Sequence, residues 1–216
     1  MPGTDKITIF YDAMPLVLSA GRAVYWPEKK MLILSDLHLG KTGYFRAHGI
    51  PVSSAVLTDD LRRLGHLIHE FKPEQVLVAG DMFHHRFNND VHLFQDWRQS
   101  YKELSFLLVP GNHDRHMDID YAGIQVTVTP ETYGLGEIHF VHEMQAEQAG
   151  RFTISGHLHP GYRISGKAKQ SLCLPCFIRG RHHLILPAFS QFTGLYTGAS
   201  AGHTCYVISE NKLFEF

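Results

Sequence analysis

Cysteine is scarce in this chain: three copies in 216 residues, an odd number. That argues against the disulfide framework of a small secreted domain. No uninterrupted apolar run approaches the eighteen or so residues of a membrane-spanning helix. The opening MPGTDKITIFYD lacks the basic start and apolar core of a secretory leader. A cytoplasmic protein with no membrane partner is the expectation. Charged residues make up only 19% of the chain and apolar residues 44%, which excludes disorder and suits a globular protein. The length is that of a single domain spanning residues 1–216.

Histidine, by contrast, occurs sixteen times, and many copies stand beside Gly, Asp or Asn. The net charge of -1 is unevenly spread. Residues 1–150 hold 13 bases and 19 acids, whereas residues 151–209 hold six bases (Arg151, Arg163, Lys167, Lys169, Arg179, Arg181) and no acid. A basic segment beside a His/Asp-rich body points to an anionic ligand.

Apolar runs at 30–35, 75–79 and 105–109 predict buried strands. Leu57, Leu61, Leu64, Leu67 and Ile68 recur at helical spacing and predict a helix from Ser53 or Ser54 to about Glu70. Val91, Phe94, Trp97 and Tyr101 predict a second helix, capped by Asn88 or Asn89. Short runs at 123–129, 137–141, 151–155, 171–178, 182–186 and 204–209, broken by Gly, Pro and Ser, predict mostly antiparallel strands. The fold expected is an α/β sandwich.

Ligands bind beyond the carboxyl ends of strands in such sheets. Five predicted strands end in polar clusters: Asp36-Leu37-His38, Gly80-Asp81, Gly111-Asn112-His113-Asp114, His142, and Gly156-His157-Leu158-His159. Asp, Asn and His delivered rigidly at one end form a metal-site layout, and this donor mixture suits Mn, Fe or Zn better than Mg or Ca. In His157-x-His159 the intervening Leu158 turns away and leaves two imidazoles on one face. His139 competes with His142, but it lies inside its strand, so His142 is preferred. Lys41, Arg46, His84, His85 and Arg86 follow ligand blocks closely enough to reach substrate, the alternative being a solvated loop and ordinary surface charge. Cys173-x-x-Cys176 lacks the second cysteine pair of a zinc site.

Taken together and in order, the five blocks resemble the signature of the calcineurin-like metallophosphoesterases. The stretches Asp36–Arg46 (DLHLGKTGYFR), 49–52 (GIPV), Pro175-Cys176-Phe177 and Leu186–Gly194 (LPAFSQFTG) further resemble the bacterial ligase-associated DNA-damage-response endonucleases. The resemblance implies a double β-sheet flanked by helices in αββα layers, and two divalent ions with manganese foremost. Asp36, His38 and His159 would hold one ion. Asn112, His142 and His157 would hold the other, with Asp81 shared. His113 would be the catalytic imidazole and Asp114 its orienting partner. A hydroxide bridging the ions would attack a phosphodiester, with DNA as substrate and a DNA ligase or helicase as repair partners. The alternatives are a small nucleotide or other phosphoester as substrate, or a non-catalytic metal-binding scaffold. Oligomeric state is not encoded in these features.

Overall fold

In the computed structural model of the chain, Met31–Leu34 (β4) is buried at every position, as a strand covered on both faces requires. The structure describes residues 3–53, 55–84, 89–144, 151–167, 170–200 and 202–216, without the side chains of residues 47, 89 and 90. Ser54, His85, Arg86, Asn88, the side chain of Asn89 and Lys169 therefore lie outside the described residues.

β4 is followed by a seven-residue helix, Lys41–Ala47 (α1), and a long one, Ala55–Phe71 (α2). Then come Gln75–Ala79 (β5), Asn89–Arg98 (α3) and Ser105–Val109 (β6). The apolar stripe of α2, Leu57 to Ile68, packs with Val91 and Phe94 of α3 on the alternate residues Leu32, Leu34, Val76, Val78, Phe106 and Leu108. β4, β5, β6 and Val126–Val128 (β7) run parallel. The run 123–129 thus contributes three residues to the parallel sheet, not to the antiparallel set expected for it.

Residues ahead of β4, for which the hydrophobic pattern predicts nothing, form a meander of Lys6–Tyr11 (β1), Met14–Ser19 (β2) and Ala23–Trp26 (β3). It completes a seven-stranded sheet in the order β1 to β7. The second sheet uses Thr132–Leu135 (β8), Ile138–Val141 (β9), Phe152–Ser155 (β10), Gly161–Ser165 (β11), Ser171–Arg179 (β12), His183–Ile185 (β13), Thr204–Ser209 (β14) and Lys212–Glu215 (β15). Its order is β15-β14-β12-β13-β10-β9-β8, with β11 paired to β12 alone. β9, β10 and β13 are parallel and the remaining pairs antiparallel.

The sheets stack through Ile33, Leu77, Ala79 and Val109 on one side and Ile138, Phe140, Ile154, Leu184 and Tyr206 on the other. Two mixed sheets with flanking helices result. The apolar stripes of α2 and α3 cover the outer face of the first sheet, while Cys176, Ile178, Cys205 and Val207 build a smaller apolar layer in the second. The stretch Gly161–Lys167 happens to match the glycine-lysine spacing of a phosphate loop. It forms an arm of the β11–β12 ribbon, with Ser165 paired to Ser171, and so lacks the strand-loop-helix geometry that cradles phosphates.

Candidate metal centre

The carboxyl ends of parallel β4, β5 and β6 meet those of parallel β9 and β10 across the stacked sheets. Side chains just beyond all five ends converge. Asp36, His38 and His159 form one group of donors, and Asp81, His142 and His157 form a second. In the first, His159 Nε2 lies 3.1 Å from Asp36 Oδ1 and 3.3 Å from His38 Nε2. In the second, His142 Nε2 lies 3.3 Å from Asp81 Oδ2 and 3.1 Å from His157 Nδ1. Asp81 Oδ2 is also 4.0 Å from His38 Nε2, which places this carboxylate between the groups. His139 stays on β9 and packs over Gly134, away from both groups.

The backbone is strained where the donors sit. Asp36, His38, Asp81, His157 and His159 all have φ between 46 and 69°. Such conformations are uncommon for residues other than glycine and persist only when the surroundings enforce them. Close approach explains two of the glycines. A Cβ on Gly80 would overlap the His142 ring, and one on Gly156 would lie 2.5 Å from Asp36 Oδ2. Asp36 Oδ2 accepts the His157 amide at 3.1 Å, so the two sheets are tied at this point.

Electrostatics match the geometry. Burial pushes His38 down to about 3, more than the nearby Asp36 and Asp81 can offset, so its imidazole is neutral and available as a donor. Burial also disfavours a charged His142, but the hydrogen bond to Asp81 and the fields of Asp36 and Asp81 outweigh it and raise His142 to about 9. Its Nδ1–H donates to the Ala79 carbonyl at 3.1 Å, which aims Nε2 at Asp81. Burial would raise the Asp36 carboxyl, yet its hydrogen bond to His159 and the fields of His159, His142 and His38 hold it below the ordinary range. Two carboxylates among imidazole nitrogens 3.1–3.3 Å apart form a donor set that divalent transition-metal ions fit.

Asn112 and His113 occupy the exposed turn after β6. His113 Nε2 lies 3.9 Å from Asp81 Oδ2, and the His113 ring stands 4.7 Å from that of His84 and 5.3 Å from that of His38. His84 with His38 and His113 makes a third group of donors. Asp114, expected to orient His113, is bonded on its carboxylate mainly to the main chain. Its carboxylate is buried and accepts the amides of Met82 (3.1 Å), Phe83 (3.3 Å) and Gly111 (2.9 Å), and the Tyr121 hydroxyl at 3.4 Å. It therefore fastens the Asp81 loop to the Asn112 loop. Lys41 lies close enough to feel the fields of Asp36 and Asp81. Arg46 instead reaches the Val52 carbonyl. Glu143, 3.9 Å from His157 Nε2, was not singled out by sequence, where only its place next to His142 hinted at it.

The five described bases of 151–209 do not make one surface. Arg151, Arg179 and Arg181 sit toward the starting ends of β10 and β13, opposite His157. Arg163 and Lys167 lie on the β11–β12 ribbon, which extends past the sheet at the end where the donors meet. Cys173, Cys176 and Cys205 are free thiols. Among the described residues, no helix is long and apolar enough to cross a membrane.

The model of the calcineurin-like phosphoesterase family matches residues 29–157. Among solved structures, Pseudomonas putida nuclease MPE is 28% identical with a TM-score of 0.83, the match covering 98% of this chain and all of that one. The Escherichia coli phosphoesterase Yfce is 12% identical with a TM-score of 0.40, over 83% of this chain and 88% of that one. No curated protein matches the chain in sequence. The family model spans more than half of the chain and ends on the His157 block, so the five strand ends and the family assignment coincide: this chain belongs to the calcineurin-like phosphoesterases, which are metal-dependent phosphoester hydrolases.

Proposed function

We propose that the protein is a binuclear phosphodiesterase that cleaves nucleic acid, with DNA as its leading substrate. The observation that carries this reading is the pair of adjoining donor groups with Asp81 Oδ2 between them. Asp36, His38 and His159 would hold one ion, and Asn112, His142 and His157 the other. Both sheets supply ligands, so residues 1–216 would act as one unit. Two bound divalent ions, manganese foremost, would supply an activated water and neutralise charge on the phosphoryl oxygens.

The chain's own groups do the rest. His113 stands at the exposed rim beside the shared carboxylate, where it can donate a proton to the leaving oxygen. Lys41 adds positive charge at the edge of the site. Arg163 and Lys167 lie at the donor end, where a polyanion lying across the cleft would meet them. Resemblance to a nuclease over nearly the full chain supports a nucleic-acid substrate over a small ester. DNA repair beside a DNA ligase or helicase is the setting implied by the sequence resemblance, and the composition of the chain suits the cytoplasm.

The test is a metal-reconstituted assay run side by side on a model diester, a model monoester, and single- and double-stranded DNA. Metal-dependent cleavage of DNA and the diester above the monoester is expected. Cleavage of a small phosphoester with no DNA cut under any metal would overturn the substrate assignment.

A further inference from the structure

Asp60 and Arg63 lie one turn apart on α2, a spacing that usually makes a solvated surface pair. Here both are largely buried: Asp60 is 2% exposed, and Arg63 Nη2 meets Asp60 Oδ1 at 2.8 Å. A second guanidinium, that of Arg22, comes from the β2–β3 turn, where the backbone has φ 66°. Burial and the neighbouring Arg63 charge push Arg22 down to about 10, so it remains a cation at neutral pH. Two cations and one anion largely withdrawn from water cost much desolvation and are weak evidence of a gain in stability. Their targets supply a reason for keeping them.

Those targets are three consecutive carbonyls in the loop after β13. Arg22 Nη1 donates to Ala188 O at 3.2 Å and to Ser190 O at 2.9 Å, while Arg63 donates to Phe189 O. Asp60 accepts the Gln191 amide at 3.4 Å. The other side of the same loop faces the donor cluster. Phe189 N donates to Ser35 O at 2.9 Å and Ser190 N to Asp36 O at 3.1 Å. Farther along, Tyr196 N donates to His159 O at 3.0 Å. The loop thus bonds the backbones of two members of one donor group, both left-handed. Among the described residues, neither His142 nor His157 is hydrogen-bonded to this loop.

We infer that Arg22, Arg63 and Asp60 are positioning residues: a clamp on the 188–191 loop that holds the Asp36 backbone in place for the ion bound by Asp36, His38 and His159. The inference rests on the binuclear reading. The guanidiniums fix the carbonyl side of the loop, and the loop's amide side fixes Asp36 in a conformation that it would not adopt by itself. The second ion, at His142 and His157, should feel the clamp less, since only the His157 amide bond to the Asp36 carboxylate links that group to it.

The test uses Arg22→Gly, Arg63→Met and Arg63→Lys in the full chain, with manganese titrated calorimetrically into metal-free protein. Arg22→Gly is the informative variant, because glycine accepts a positive φ and relieves the turn while removing the guanidinium. We expect the metal-free melting temperature of Arg22→Gly to stay within a few degrees of wild type. One of the two manganese affinities should fall at least tenfold, the other should hold, and kcat should fall with KM little changed. Arg63→Lys should recover part of the loss seen in Arg63→Met. Two unchanged affinities in a folded Arg22→Gly would overturn the clamp, and so would equal weakening of both ions. Wild-type protein that binds fewer than two ions would overturn the binuclear reading itself, whatever the variants do.

Discussion

Replacing Asp114 separates two explanations of why this carboxylate follows His113. If it oriented the imidazole, Asp114→Ala would lower turnover and leave the fold and the metal untouched. The structure leads elsewhere. The side chain accepts three main-chain amides, Met82, Phe83 and Gly111, and it is 4% exposed. Removing it strands those amides away from water at about 1–3 kcal/mol each, so a total of about 3–5 kcal/mol is expected once partial hydration is allowed. For a domain of this size that corresponds to a melting temperature lower by roughly 6–20 °C. The Asp81 loop would loosen with it, and manganese affinity should fall by tenfold or more. Asp114→Asn keeps one acceptor oxygen but presents an amide group to amide donors, so it should lose about half as much. Thermal unfolding of metal-free protein and calorimetric manganese binding read both quantities. An Asp114→Ala protein with unchanged melting and metal binding but a hundredfold lower kcat would refute the fastening role and restore the orienting one.

His113→Ala should leave both manganese ions bound and the melting temperature nearly unchanged, since the side chain is 41% exposed, while lowering kcat about a hundredfold; loss of metal in this variant would instead make His113 a ligand. Metal affinity should rise with pH by up to about tenfold per unit until pH approaches 9, because binding must displace the proton that Asp81 and Asp36 keep on His142. In the metal-free protein the sign reverses: the raised His142 contributes stability that is complete below its ordinary 6.5 and is lost as pH rises through about 9. An affinity and a metal-free stability that are both flat across this window would contradict it. Neutralising Arg163 and Lys167 should weaken DNA cleavage and flatten its salt dependence, whereas neutralising Arg179 and Arg181 should do neither; the reverse result would move the nucleic-acid path to the other end of the sheets.

The parts of the fold that could be read from the sequence are those whose own residues decide them. β5 and β6 are continuous apolar runs, and the stripe of α2 needs no partner to be recognised. The meander β1–β3 is different. β1 is largely half-exposed, and β2 carries Pro15 opposite Phe10, so neither shows an unbroken alternation. These strands exist because β4 offers an edge to pair with. α1 is KTGYFRA, with an internal glycine and only seven residues, and its formation reflects where β4 delivers the chain. β11 is decided wholly by its partner β12.

At the site, the donors were legible because parallel strands place their carboxyl ends together, so a list of strand ends is already a list of neighbours. What could not be read is everything that depends on which neighbour. Asp114 is adjacent to His113 in sequence, yet the one-turn 3-10 helix from Asp114 to His116 directs its carboxylate toward the Asp81 loop. The basic run of 151–209 is continuous in sequence, but antiparallel pairing sends its described members to opposite ends of the sheets. Arg22 and Ala188 are 166 residues apart. The left-handed backbone of Asp36, His38, Asp81, His157 and His159 is the deepest case, because local preference argues against it at each of these residues. Five such violations at converging strand ends cannot come from their sequence neighbours. They have to be imposed by contacts from both sheets, such as the His157 amide on Asp36 and the Ser190 amide on its carbonyl. Donor atoms held this way are set in place before any ion arrives, so the surrounding contacts, and not the ion, bear the cost of bringing two carboxylates and their imidazoles together.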